Sequence, residues 1–466
     1  MKTIMERVLP KTLNYQDVLP LAVESRARRR TFFPVNGQSF TASGANIIRI
    51  DLSADALLDT QHSYLRFTFT NDAAKTCGLD YAGGHAFIRR LRIEQSGVVL
   101  EDINSYNRLM GAVVLPCQSN DEHHQERALT ECIQSGGGGL TLITSGTGVA
   151  DLNGDTAGNT LGFQYPSAAQ ITVSGTDPGG NVDICIPLNS GILNNEKLIP
   201  LMLMSAPLTI EIELAPLNQP VCFVDTAATN YTISNVRYIA NLIEVGQDVS
   251  GQLRMLQEVS GGVLTLAGQT YRHFTGNVTA GTGDQIINVP ARVKSMKSLF
   301  FVSQATAGDA QNRFNVSVGG NMKLHEYSLK IGSVTYPPTP VRCGFGDGSV
   351  AEVAGRRAEP LMELAKAWGS VGSSKGMGRL RNTTYGQTED AACAASAGYS
   401  FTPFGLDMEA FQRVAIESGV NTADRSLPIS LILNFAEAPS ACNVDVFVLA
   451  DALFYLNADG SMSVSV

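Results

Sequence analysis

The chain has 466 residues, 44% of them hydrophobic and 17% charged, with a formal net charge of −9 and a pI near 5.3. This balance excludes a protein that coats nucleic acid with a uniformly basic surface. The low charge fraction suits a surface covered by other protein, or an ordinary β-protein with a Ser/Thr-rich exterior. Eight scattered cysteines without a CxxC pair (Cys77, Cys117, Cys132, Cys185, Cys222, Cys343, Cys393 and Cys442) point to reduced thiols, not a disulfide framework.

The opening MKTIMERVLPK lacks an apolar core, so no signal peptide is expected. Residues 1–30 show no strand alternation and end in Arg26, Arg28, Arg29 and Arg30. We read them as an N-terminal arm outside the folded body, a pattern that a frayed terminus explains equally well. Strands follow. Ile48 and Ile50 alternate with Arg49 and Asp51, and Leu65, Phe67 and Phe69 alternate with Arg66, Thr68 and Thr70. A short helix is predicted over Asp102–Met110, with Ile103, Tyr106, Leu109 and Met110 on one side and Gly111 as its stop. The Gly/Ser/Thr-rich residues 135–180 look like a loop inserted into a rigid sandwich. Leu208, Ile210, Ile212 and Leu214 give the clearest alternation, and the apolar run Leu198–Leu214 is broken by Pro200, Pro207, Glu211 and Glu213, so it cannot cross a bilayer. A boundary between halves is expected near Gly246–Gly262. Helices are predicted over Glu359–Trp368, with Pro360 in the first turn and Gly369 as its stop, and over about Asp407–Glu417.

The chain repeats a pattern. Phe87–Met110 (FIRRLRIEQSGVVLEDINSYNRLM) and Leu324–Trp368 each run from a strand through a glycine turn into a second strand, then into a helix. Each half closes on a strand entered through Asn-Val, at Asn235 and Asn443. The first copy is longer, and the excess falls in residues 135–180. Many short strands with few helices argue for β-sandwiches.

Motifs for chemistry fail on inspection. There is no G-x-S-x-G elbow. In GSVGSSKG (369–376), Lys375 follows Ser374 and precedes Gly376, so it is not a P-loop. The run Asp151–Asp155 begins like a calcium loop, but Thr156 and Gly162 occupy the positions that need glycine and glutamate. Cys117, His123, His124 and Cys132 offer zinc-type donors without zinc-type spacing, and a solvated polar segment is the simpler account. Asp51, Asp55 and Asp59 read as a polar connection after a strand. We expect no catalytic, cofactor or metal residues. The arginine cluster suits a contact with nucleic acid or anionic lipid, or with an acidic protein, and we expect the protein or membrane contact.

HEYSLKIGSVTYPPTPV with EPLMELAKAW, the late MEAFQRVAIESGVNTADRSLPISLIL with VDVFVLADALFYL, and the opening FFPVNGQSFTASGANIIRIDLSADALLDTQHSYLRFTFTN resemble double jelly-roll major capsid proteins. These are the shell proteins of virophages, polinton-like viruses and the adenovirus lineage of double-stranded DNA viruses. The resemblance implies an all-β chain of two tandem eight-stranded jelly rolls, over 31–247 and 248–466, with a few short helices. It implies a homotrimeric capsomer of near-hexagonal outline in an icosahedral virion shell, assembled in host cytoplasm or nucleus. It also implies contacts with neighbouring capsomers, with vertex and minor capsid proteins and with an internal membrane through the arm, and no sequence-specific nucleic-acid binding. Two alternatives stay open: a single-jelly-roll capsid protein with a projecting domain, and a non-viral carbohydrate-binding β-sandwich.

Overall fold

The computed structural model describes residues 24–70, 77–118, 126–127, 129–131, 181–223, 230–305, 315–343, 345, 358–369, 380, 385–386, 401–411 and 416–466. The expected insertion at 135–180 lies outside the described residues, as do residues 1–23 of the expected arm.

Sixteen main strands divide evenly. The first eight are β1 (Ser25–Phe32), β2 (Ile47–Leu52), β3 (Leu57–Thr70), β4 (Ile88–Gln95), β5 (Val98–Asn104), β6 (Asn181–Ile186), β7 (Leu208–Leu214) and β8 (Thr232–Val245). The second eight are β9 (Val263–Val278), β10 (Gly283–Asn288), β11 (Met296–Ala305), β12 (Leu324–Ile331), β13 (Val334–Arg342), β14 (Phe404–Asp407), β15 (Ile429–Phe435) and β16 (Cys442–Asn457). The first half forms sheets of order β1-β8-β3-β6 and β2-β7-β4-β5. The second forms β9-β16-β11-β14 and β10-β15-β12-β13. Every strand thus has its counterpart eight places later, in the same position of the same sheet. All these pairings are antiparallel. In each half the chain's first, eighth, third and sixth strands face its second, seventh, fourth and fifth, which is the strand order of a jelly roll.

The period-two patterns build these sheets as expected. Along β7 the apolar positions Leu208, Ile210, Ile212 and Leu214 are buried and the intervening Thr209, Glu211 and Glu213 are half-exposed. Phe67 and Phe69 of β3 meet Phe87 with ring centroids 5.7 and 5.1 Å apart, and Tyr231 closes on Phe87 at 5.3 Å. The β4–β5 hairpin turns through Ser96 and Gly97, with φ of 52° and 83°, as a tight right-twisting hairpin requires. Its counterpart β12–β13 turns through Gly332 at φ 59°.

Three local expectations need correction. Ser25–Arg30 are not an arm but most of β1, which pairs with β8 from Ser25↔Val245 to Phe32↔Tyr238. The strand is held by its backbone ladder while six of its eight side chains stay exposed, so no apolar alternation marks it. Asp102 and Ile103 belong to β5, paired with Arg92 and Leu91. The helical segment starts later, at Tyr106–Arg108, and continues through Leu109–Val114 and Leu115–Gln118. Gly111 does not stop it, because its role is space: a Cβ there would sit 2.7 Å from Ser317 Oγ and 2.9 Å from Ala82. The helix expected from Asp407 is replaced at its start by β14, and Met408 extends that strand by donating to the Lys297 carbonyl at 2.7 Å. By contrast, Ala358–Ala367 is the expected helix, ended by Gly369 at φ 58°, whose N–H bonds the Lys366 carbonyl at 2.8 Å. The boundary at Gly246–Gly262 holds a helix of its own, Gln247–Val259, tethered where Gln257 donates to the Leu456 carbonyl at 3.2 Å.

Candidate assembly interface

The two sandwiches are joined by a buried seam. One apolar cluster fills the second sandwich, with Val444, Val446, Val448 and Ala450 of β16 on its inner side. A larger cluster fills the first sandwich and continues across the seam to Phe300, Phe447 and Leu449 on the opposite face of the second. Strand β16 is therefore buried on both faces. Its outward face is covered by the first half.

Polar side chains lock this contact. Arg108, in the helical segment of the first half, donates to Asp445 Oδ2 at 3.2 Å and to the carbonyls of Ser303, Val316 and Val318. His273 Nε2 lies 2.9 Å from Asp445 Oδ1. Burial alone would raise the Asp445 carboxyl, but the His273 hydrogen bond and the Arg108 charge outweigh it and hold it below the ordinary carboxylate range. Asp80 reaches the second half by accepting from the Ser317 hydroxyl, and Gln95 donates to the Gly460 carbonyl at 3.0 Å and accepts from Met462 N at 2.6 Å. Glu101 accepts from Gly191 N at 3.0 Å, beside β9. Burial pushes both Asp80 and Glu101 upward despite these donors.

The backbones themselves meet at Gly191 and Gly268. A Cβ on Gly191 would lie 2.6 Å from the Gln269 carbonyl, and one on Gly268 2.6 Å from that of Gly191. Only glycine permits this approach.

The arginine cluster is split by the alternation of β1. Arg29 faces outward and donates to Tyr64 Oη at 3.2 Å. Arg26, Arg28 and Arg30 take the other side of the strand, where Arg28 pairs with Glu244 at 2.9 Å and Arg30 lies over the Phe32 ring at 4.8 Å. β1 pairs only with β8 among the described residues, so it presents an open edge. Of the four metal-type residues, Cys117 is buried, with its thiol pushed up by desolvation, while His123, His124 and Cys132 lie outside the described residues. No group of three or more metal-type side chains occurs among the described residues.

The seam residues were not singled out from the sequence, although a signal exists. Asp445 sits in the otherwise apolar run NVDVFVLA, and Arg108 stands at the head of the apolar run LMGAVVLP. A charge placed inside such a run needs a buried counter-charge.

No family model and no curated protein sequence matches the chain. Solved structures match over almost its whole length. VP54 of PBCV-1, fitted into a reconstruction of the virophage Sputnik, is 8% identical, with 97% of this chain and 99% of that one aligned at a TM-score of 0.57. The Faustovirus major capsid protein is 8% identical over 96% and 92%, at 0.57. The mavirus major capsid protein is 12% identical over 100% and 97%, at 0.51. The chain has the double jelly-roll fold of these capsid proteins. The duplicated strand order and the end-to-end coverage agree that both jelly rolls are complete, against the alternative of one jelly roll with an unrelated projecting domain.

Proposed function

We propose that this chain is the structural subunit of an icosahedral virus shell, assembling as a homotrimer of near-hexagonal outline and having no catalytic role. The observation that carries this reading is the strand-for-strand duplication. Two sandwiches of one topology in one chain let three copies supply six comparable walls. In this reading the walls are residues 31–247, with Ser25–Arg30 added at the edge, and residues 248–466. The exposed arginines of β1 serve protein or membrane contacts around the base of the capsomer, where minor capsid proteins and an internal membrane would meet it. A carbohydrate-binding role draws no support from the single tryptophan, because Trp368 is stacked on Phe300 with centroids 4.7 Å apart. Measuring the mass of the purified chain in solution tests the proposal. A stable trimer is expected, and a strict monomer at high concentration would overturn it.

A further inference from the structure

The duplication leaves one face unmatched. In the second half, the outward face of β16 is covered by the first half, with Asp445 buried and paired to Arg108, while the neighbouring β11 and β14 carry the helix Ala358–Ala367 on that face. Among the described residues, the equivalent face of the first half, on sheet β1-β8-β3-β6, has no such cover. Its counterpart of Asp445 is Arg237, since Asn235-Val236-Arg237 echoes Asn443-Val444-Asp445 and both third residues point away from their own cores. Among the described residues the buried Nε of Arg237 has no hydrogen-bond partner, although its charge helps hold the nearby Asp183 low, and its guanidinium lies 5.9 Å from the ring of Phe33, which is 61% exposed. Beside it, Arg66 and Asp183 pair at 2.7 Å with Asp183 half open to solvent. A groove of about 660 Å³ borders the same face, lined by Tyr64, Met110, Val114 and Cys185 among others.

The element able to cover this face is in the chain. The helical segment that carries Arg108 follows β5, and its counterpart after β13 is the helix Ala358–Ala367. That helix packs Leu364 beneath Gly405 and turns Glu359, Met362 and Lys366 to solvent, with Glu363 half-exposed. Its glutamates reverse the charge of Arg108 where the receiving charge is also reversed, and Glu363 pairs within the helix with Lys366 at 3.6 Å.

We propose that the helix Ala358–Ala367 of one copy docks on the outward β1-β8-β3-β6 face of a second copy. Glu359 and Glu363 meet Arg237, and Met362 covers Phe33. The contact repeats between chains, with its charges exchanged, the seam that Arg108 and Asp445 make within a chain. It is heterologous, so each copy gives one helix and receives another, and successive copies close a ring. This inference rests on the reading of the chain as a self-assembling subunit.

The test is a charge exchange read by solution mass. Glu359→Arg with Glu363→Arg changes one exposed and one half-exposed helix position, so it should keep the wild-type circular-dichroism spectrum and a cooperative melt while abolishing the trimer. Arg237→Glu should also give monomer, and combining it with the two glutamate substitutions should restore the trimer. A trimer that survives the two glutamate substitutions, or a triple variant that remains monomeric, would overturn the docking site. If the wild-type chain itself is monomeric, it is the assembly reading that fails.

Discussion

Arg108 and Asp445 stand 337 residues apart in the sequence and are joined by a 3.2 Å ion pair buried between the two sandwiches. Removing Arg108 leaves the buried Asp445 with His273 as a partner but without its cation, and strips the buried carbonyls of Ser303, Val316 and Val318 of their donor. Arg108→Met should therefore cost about 3–5 kcal/mol of unfolding free energy, measured by denaturant titration. A loss below about 1 kcal/mol, the scale of a surface pair, would show that the seam is wet.

The buried carboxylates give stability opposite dependences on pH. Asp445 is depressed, so its contribution is present above its unfolded value and is lost as pH falls through its folded one. Asp80 and Glu101 are raised, so their contribution is present below the unfolded value and is lost as pH rises through the folded one. Asp445→Asn should flatten the loss of stability on acidification. Glu101→Gln should flatten the loss between acid and neutral pH. Unfolding curves recorded across this range check both, and variants whose pH profiles run parallel to wild type would refute the assignment.

Glycines separate cleanly by surroundings. Gly191→Ala and Gly268→Ala each drive a methyl into backbone at 2.6 Å and should destabilise by about 1–3 kcal/mol. Gly251, inside the helix Gln247–Val259, has nothing within 4 Å of a new Cβ. Gly251→Ala should stabilise by roughly 0.5–1 kcal/mol. Melting temperatures of the three variants, moving in these opposite directions, test whether the halves meet backbone to backbone.

Much of the architecture was legible because burial on one face writes itself into sequence. The alternations at Leu208–Leu214 and Leu65–Phe69, and the turn-flanked hairpins, placed strands that the structure contains. The duplication was visible as two hairpin-and-helix echoes and two Asn-Val entries, all in equivalent places of the fold. Strand β1 escaped because it is an edge whose side chains mostly face solvent, leaving no apolar period to read. The linker helix escaped because Gly246, Gly251, Gly261 and Gly262 frame and interrupt it, and Gln257 is the one buried side chain among those described in it. The seam escaped for another reason. Arg108, His273 and Asp445 are adjacent only once both sandwiches exist, and sequence spacing carries no trace of that. Gly191 and Gly268 likewise carry no sign in the sequence that their backbones touch.

Two equivalent sandwiches per chain should become six walls in the assembled particle. Averaged electron-microscope images of the purified protein, viewed down the particle axis, test it most directly. A closed threefold ring is expected, with six density lobes alternating between two slightly different shapes. A ring with three lobes, or particles of single two-lobed chains, would contradict it.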